Sequence, residues 1–273
     1  MSDEMKSSYY IMLPQDPRDT ARFLNTYVSE YFLPQTYMAT EKESNLANIL
    51  PFSQSSKCVE NEMEDLIWNS KRKWSKQDVL HILAWKIDGI DHLASKEQII
   101  LKETWSDKNN CMKGVHRGIE INNIELLTSF VADHVSKWRE IYSHKWNAEN
   151  ALTVLKELDA YIKKNGISRM GPVHLITLLS FVSQGELPIY DKQAMKALIA
   201  YENGYAPGKV IYFSDLPNVS EKSFWSKYQD YINKLETNFG SDYKTNRKID
   251  QALWVYGHLF VRAKSKKECS EYA

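Results

Sequence analysis

Glycine and proline are scarce in this 273-residue chain, at 10 and 8 residues. Sandwiches and barrels spend such residues on the turns between strands, and Val-Thr-Ile runs are also rare here, so an all-β fold is disfavoured. Cysteine is scarcer still. Cys58, Cys111 and Cys269 are odd in number and far apart, and they match neither a disulfide framework nor a metal-ligand spacing. No HxxxH or CxxC pair occurs, and the seven histidines are scattered. A Walker loop, GxGxxG and GxSxG are all missing. Metal-assisted hydrolysis, nucleotide hydrolysis and hydride transfer therefore have no support, and neither a metal nor another cofactor is expected.

An excess of one charge is also lacking. Lysine plus arginine equal aspartate plus glutamate at 35 each, so no global field draws nucleic acid, and only a local basic patch can do so. The charge is unevenly spread: residues 1–60 hold five Lys/Arg against eight Asp/Glu, and residues 241–267 hold seven against two. A solvated helix face and a frayed end account for that basic tail more readily than a phosphate contact does. No apolar run approaches the ~20 residues of a membrane span. The opening MSDEMKSSYY does not follow the basic-then-apolar layout of a secretory signal. A cytoplasmic protein is expected, nucleoid-associated if it binds DNA.

What is abundant is helical periodicity. Ala21, Phe23, Leu24, Tyr27, Val28 and Tyr31 share one face of an expected helix over 18–32. A polar stretch from Pro34 to about Ser56 reads as an irregular arm. Ser75-Lys-Gln-Asp78 reads as a capping box opening the next helix, and Trp105 to Gly118 as a loop. Ile124, Leu127, Val131, Val135, Trp138 and Tyr142 then form a long stripe at three- and four-residue steps. A further helix carries Ala151, Val154, Leu155, Leu158 and Ile162, and Asn165-Gly166 stops it. Pro172–Val182 is apolar almost throughout and reads as a central helix. KVIYF, at 209–213, is the one convincing extended piece. Two helices follow, one through Phe224, Tyr228, Tyr231 and Leu235, the other through Ile249, Leu253, Tyr256 and Phe260. The expected class is all-α with eight to ten helices. The expected organisation is an N-terminal helical region and arm over 1–110 and a second helical domain over 111–273, the two able to pack as one unit.

Two features point to chemistry. The first is the hairpin in LTVLKELDAYIKKNGISRMGPVHLITLLSFV, whose turn runs from Gly166 to Gly171 with Pro172 opening the second helix. Backbone N–H groups at such a start suit a phosphate, and Lys163, Lys164 and Arg169 flank the turn. The second is Asp191 in GELPIYDKQAMKAL, an acid at the head of a helix. Aspartate is among the best helix N-caps, so capping alone accounts for its presence.

Together, the hairpin and the acid resemble the helix-hairpin-helix superfamily of base-excision DNA glycosylases. In that superfamily a hydrophobic-x-Gly-hydrophobic-Gly hairpin precedes a catalytic aspartate by about twenty residues. Here Ile167-Ser-Arg-Met-Gly171 falls on the hairpin and Asp191 lies twenty residues past Gly171. The resemblance is close over the hairpin and the helix after it, and loose over 110–265; the N-terminal third matches nothing nameable. It departs from the pattern in placing Arg169 at the first hairpin glycine. Val173 stands where bifunctional members carry a lysine nucleophile, so the resemblance implies the monofunctional, water-using branch. Only Cys269 lies beyond the aspartate, so the iron–sulfur cluster of some members is not expected.

The resemblance implies a multi-helix fold with a cleft between two helical lobes, duplex DNA as partner, and Asp191 as the catalytic residue. A carboxylate beside the sugar stabilises the oxocarbenium-like state that forms as the base leaves, and it can orient a water. The base must first be flipped out of the stack. Tyr190, His174, Trp85, Trp254 and His258 are candidates to line its pocket, although core packing is the ordinary use of Trp85 and Trp254. Asp88/Asp91 and Glu103/Asp107 read as surface charges. Two other readings stay open: a non-catalytic binder of DNA or RNA that keeps the hairpin, and an all-helical interaction protein in which Asp191 is only a cap.

Overall fold

In a computed structural model, the described residues are 20–31, 57–69, 71–87, 90, 101, 105–106, 110–113, 120–142, 145–167, 170–202, 211–213, 215–259 and 263–265. The irregular arm expected from Pro34 to Ser56 lies outside them, as do Asp88, Asp91, Glu103 and Asp107. Nine α-helices occur among the described residues. They are α1 (Thr20–Tyr31), α2 (Lys57–Trp68), α3 (Lys76–Lys86), α4 (Ile124–Tyr142), α5 (Ala148–Lys164), α6 (Pro172–Val182), α7 (Lys192–Glu202), α8 (Phe224–Phe239) and α9 (Arg247–Leu259). A 3-10 turn, Gly240–Lys244, links the last two. The protein is mostly helical, and none of these helices is long and apolar enough to cross a membrane.

The expected loop over Trp105 to Gly118 is corrected in part. Three short strands, β1 (Trp105–Ser106), β2 (Cys111–Lys113) and β3 (Glu120–Asn122), pair antiparallel in that order. Two or three residues are too few to show an alternating pattern, which is why the sequence reads as loop there. The extended reading of KVIYF holds for β4 (Ile211–Phe213), which pairs parallel with β5 (Ala263–Ser265). Helix α2 was not anticipated, although Val59, Met63, Leu66 and Ile67 have helical spacing and all are buried.

The chain divides into two compact units that interleave along the sequence. The first comprises 1–55, 190–215 and 230–273, and the second 56–189 and 216–229. Residue 110 thus lies inside the second unit.

The second unit is built around α6. From Leu175 to Val182 every residue is buried, and α2, α3, α4 and α5 all touch this helix. A helix apolar on all sides has to be central, because each exposed Leu or Phe forfeits about 1.5–3 kcal/mol. The capping box at α3 is present as read. Ser75 accepts from the Asp78 amide at 3.2 Å, and the Asp78 carboxylate returns to the Ser75 amide at 2.6 Å. The same carboxylate, with Glu62 and Asp65, surrounds Arg72. Burial works against the charge of Asp78, yet the bonds from Ser75 and Arg72 hold its carboxyl below the usual range.

Arg139 closes the other end of α6. It extends from α4 and donates to the carbonyls of Phe181 at 2.9 Å, Val182 at 3.3 Å and Leu66 at 3.1 Å, while its guanidinium lies 4.8 Å from the Trp74 ring centre. Burial lowers its pKa to about 10, so it remains charged at neutral pH. The last carbonyls of a helix carry partial negative charge and want such a donor.

The first unit packs α7 and α1 against α9. Phe23 lies at the centre, fully buried, edge-on to Tyr201 at 5.0 Å and to Tyr256 at 5.8 Å. Helix α9 approaches the first turn of α7 so closely that a Cβ on Gly257 would lie 2.1 Å from the Gln193 carbonyl oxygen. Only glycine fits that crossing.

Candidate functional site

Asp191 lies at the head of α7. Its own carbonyl accepts from the Met195 amide at 2.9 Å, the first bond of the helix. Its carboxylate Oδ1 accepts from the Gln193 amide at 2.7 Å. That is N-cap geometry, so the capping role read from the sequence is present. The residue is half-buried.

Around Asp191 both charges gather. Lys192 lies 3.5 Å from Asp215, and its ammonium is 4.7 Å from the centre of the Phe213 ring. The Lys196 ammonium is 5.1 Å from that centre and donates to Gln193 at 3.2 Å. Tyr190 is buried, edge-on to Tyr231 at 5.1 Å. Burial, then the negative charges of Asp191, Asp215 and Asp230, push its phenol well above its ordinary pKa. A phenol so placed holds its proton, so it can donate a hydrogen bond but not act as a base. Sequence reasoning named Asp191 and Tyr190 here but missed Lys192, Lys196 and Phe213. Lysines at i and i+4 on a helix, followed by an aromatic strand, were the available signal.

The hairpin forms in the second unit. Helix α5 opens on a capping box at Asn147 and stops at Asn165, and Gly166 takes a left-handed φ of +61°. The Asn123 side-chain amide donates to the carbonyls of Asn165 and Gly166 at 3.3 and 3.4 Å, which fastens the turn to the start of α4. Helix α6 begins at Gly171 with Pro172 in its first position and no side-chain cap. Lys164 is exposed, and Lys163, also exposed, pairs with Asp159 at 2.6 Å within α5. Arg169 lies outside the described residues.

His174, on the first turn of α6, is largely buried, and its Nδ1 makes no well-formed hydrogen bond, the Gly171 backbone offering only a weak one. Burial, then the nearby Lys86 charge, lowers its pKa to about 4, with the Gly171 backbone pulling the other way. It is a neutral imidazole at physiological pH. Trp85, one residue before Lys86, is half-buried and edge-on to Phe181 at 6.1 Å. Trp254 is half-buried on α9, and the His258 side chain lies outside the described residues.

The candidates therefore sort by unit. Gly166, Gly171, Lys163, Lys164, Trp85 and His174 belong to the second, and Tyr190, Asp191, Trp254 and His258 to the first. Among the described residues no group of three or more His, Cys, Asp or Glu is arranged to hold a metal ion. No family model, curated protein or solved structure matches this chain.

Proposed function

We propose that this protein is a DNA base-excision glycosylase of the helix-hairpin-helix type, hydrolysing the N-glycosidic bond of a flipped, modified base with Asp191 and water. The observation that carries the reading is a half-buried carboxylate at the head of α7, twenty residues beyond the glycine that opens α6. An oxocarbenium-like sugar needs a fixed negative charge beside it, and a carboxylate held by a backbone amide is fixed. The uncapped start of α6 offers one backbone donor that suits a DNA phosphate, the Val173 N–H, since Pro172 has none and the His174 and Leu175 amides donate to the Gly171 carbonyl at 3.1 and 3.4 Å. Val173 in place of lysine points to water as the nucleophile.

A second reading, a hairpin protein that binds nucleic acid without catalysis, draws on Arg169 in place of the first hairpin glycine and on the zero net charge. A single assay separates the two. Full-length protein is incubated with duplexes carrying deaminated, alkylated or oxidised bases, and abasic sites are read by alkaline strand cleavage. The glycosylase reading expects cleavage at one class of lesion only after alkali, since no lysine supplies lyase activity. Salt-dependent duplex binding with no abasic product from any lesion supports the binder. Absence of nucleic-acid binding at low salt rejects both.

A further inference from the structure

Helix α4 carries two stripes. The buried one, Ile124, Leu127, Val131, Val135 and Trp138, faces the core of its unit. The other runs through Leu126, Phe130, His134, Lys137 and Ile141, at steps of four, four, three and four, which places it on one line roughly 100° around the helix from the first. Helix surfaces that face water are ordinarily polar. Here Leu126 is 41% and Ile141 54% exposed, the large hydrophobic side chains that stand out in this way among the described residues. Between them Phe130 is half-buried and stacks on Tyr161 of α5 with ring centres 3.9 Å apart. Asp133 and Lys137 are exposed. The His134 Nδ1–H donates to the Phe130 carbonyl at 2.7 Å, so Nε2 is the ring nitrogen left for another contact.

The order of residues along this stripe is complementary to its own reverse. When two copies of α4 lie antiparallel about a two-fold axis between Asp133 and His134, Leu126 of one meets Ile141 of the other. In the same register Asp133 meets His134, and Lys137 meets only the edge of Phe130, whose faces are covered by Tyr161 at 3.9 Å and His134 at 4.2 Å. Two of these pairs are favourable in kind: apolar against apolar, and carboxylate against imidazole. Each occurs twice by symmetry, as an isologous interface requires. A partner unrelated to this chain would impose no such internal match. Zero net charge also leaves no long-range repulsion between copies.

We propose that this face of α4 is a homodimer interface, with the two helices antiparallel in that register. It is independent of the proposed chemistry. One 19-residue helix from each copy makes a small interface, so association falls in the micromolar range.

Sedimentation of the full-length protein from about 1 to about 100 µM tests the proposal over that range. The mass is expected to rise from one chain towards two. Leu126→Glu and Ile141→Glu, both at exposed positions, are each expected to weaken association by about 30-fold or more, with an unchanged melting temperature for the monomer. The register is tested by mixing Leu126→Cys with Ile141→Cys protein under mild oxidation. A disulfide-linked dimer of the two variants is expected, above any background that wild-type protein gives. Leu126→Cys alone is expected to give none above that background, because like positions lie about 22 Å apart along the helices. Wild type that stays monomeric throughout, a dimer indifferent to both glutamates, or cross-linking of Leu126→Cys to itself each overturns the proposal.

Discussion

Helices α6 and α7 begin in opposite ways. Helix α7 has the Gln193 amide of its first turn taken by the Asp191 carboxylate, and α9 presses on that turn at Gly257. Helix α6 starts on a glycine with no side-chain cap, and the imidazole of its first turn has an Nδ1 with no well-formed hydrogen bond. Its far end is the secured one, where Arg139 takes the carbonyls of Phe181 and Val182. Capping boxes elsewhere in the chain, at Ser75 and Asn147, show what an ordinary start looks like here. A filled start favours stability and fixes a negative charge in place, whereas the open start of α6 forgoes the cap and keeps the Val173 amide for a partner. The proposed chemistry uses both kinds.

The largest expected effect comes from disturbing the fixed start. Gly257→Ala drives a Cβ into the Gln193 backbone, and backbone cannot step aside as a flexible side chain can. A loss of about 3 kcal/mol is expected on thermal or urea unfolding. Next is the secured end of α6. Arg139→Met keeps most of the packing but strands the three carbonyls the guanidinium serves. A loss of about 2–3 kcal/mol is expected, only partly recovered by Arg139→Lys, because one ammonium cannot span the same three acceptors.

The open start of α6 is expected to be sensitive to acid. The folded pKa of His174, about 4, lies below the unfolded value of 6.5. The folded state therefore resists protonation. This contribution to stability is complete above pH 6.5 and is lost as pH falls towards 4. The His174 ring keeps some exposure, so the loss is about 2 kcal/mol and not the full value of the shift. His174→Gln is expected to flatten the unfolding free energy against pH between about 6.5 and about 4. The smallest effect is the most pointed. Gly171→Ser places a hydroxyl cap on α6, where a Cβ meets nothing closer than 3.9 Å. Stability is expected to rise by a few tenths of a kcal/mol. Under the proposed function, affinity for duplex DNA falls, because the hydroxyl competes for the Val173 amide.

Periodicity and punctuation made much of the fold legible. The stripe of α4, the Asn165-Gly166 stop, the Ser75 capping box and the wholly apolar α6 are local patterns, and each is present. Contacts between distant segments left no such trace. Gly257 reads as a glycine inside a helix until α7 is laid against it. Arg139 reads as one more surface cation on an amphipathic helix, because its partners are carbonyls 42 to 73 residues away. The candidate site divides in the same manner. Asp191 was legible as the cap of a helical pattern, whereas the Lys192, Lys196 and Phe213 cluster depends on a strand that packs back on α7.

The central claim is that Asp191 does more than cap, and one substitution separates its two roles. Asparagine caps a helix about as well as aspartate but carries no charge. Asp191→Asn is expected to leave the melting temperature and duplex affinity of wild type essentially unchanged. Release of the susceptible base under single-turnover conditions is expected to fall by about a hundredfold or more, as when an electrostatic stabiliser of a transition state is removed. Base release at the wild-type rate from a folded, DNA-binding Asp191→Asn protein would contradict the account and leave Asp191 as a cap.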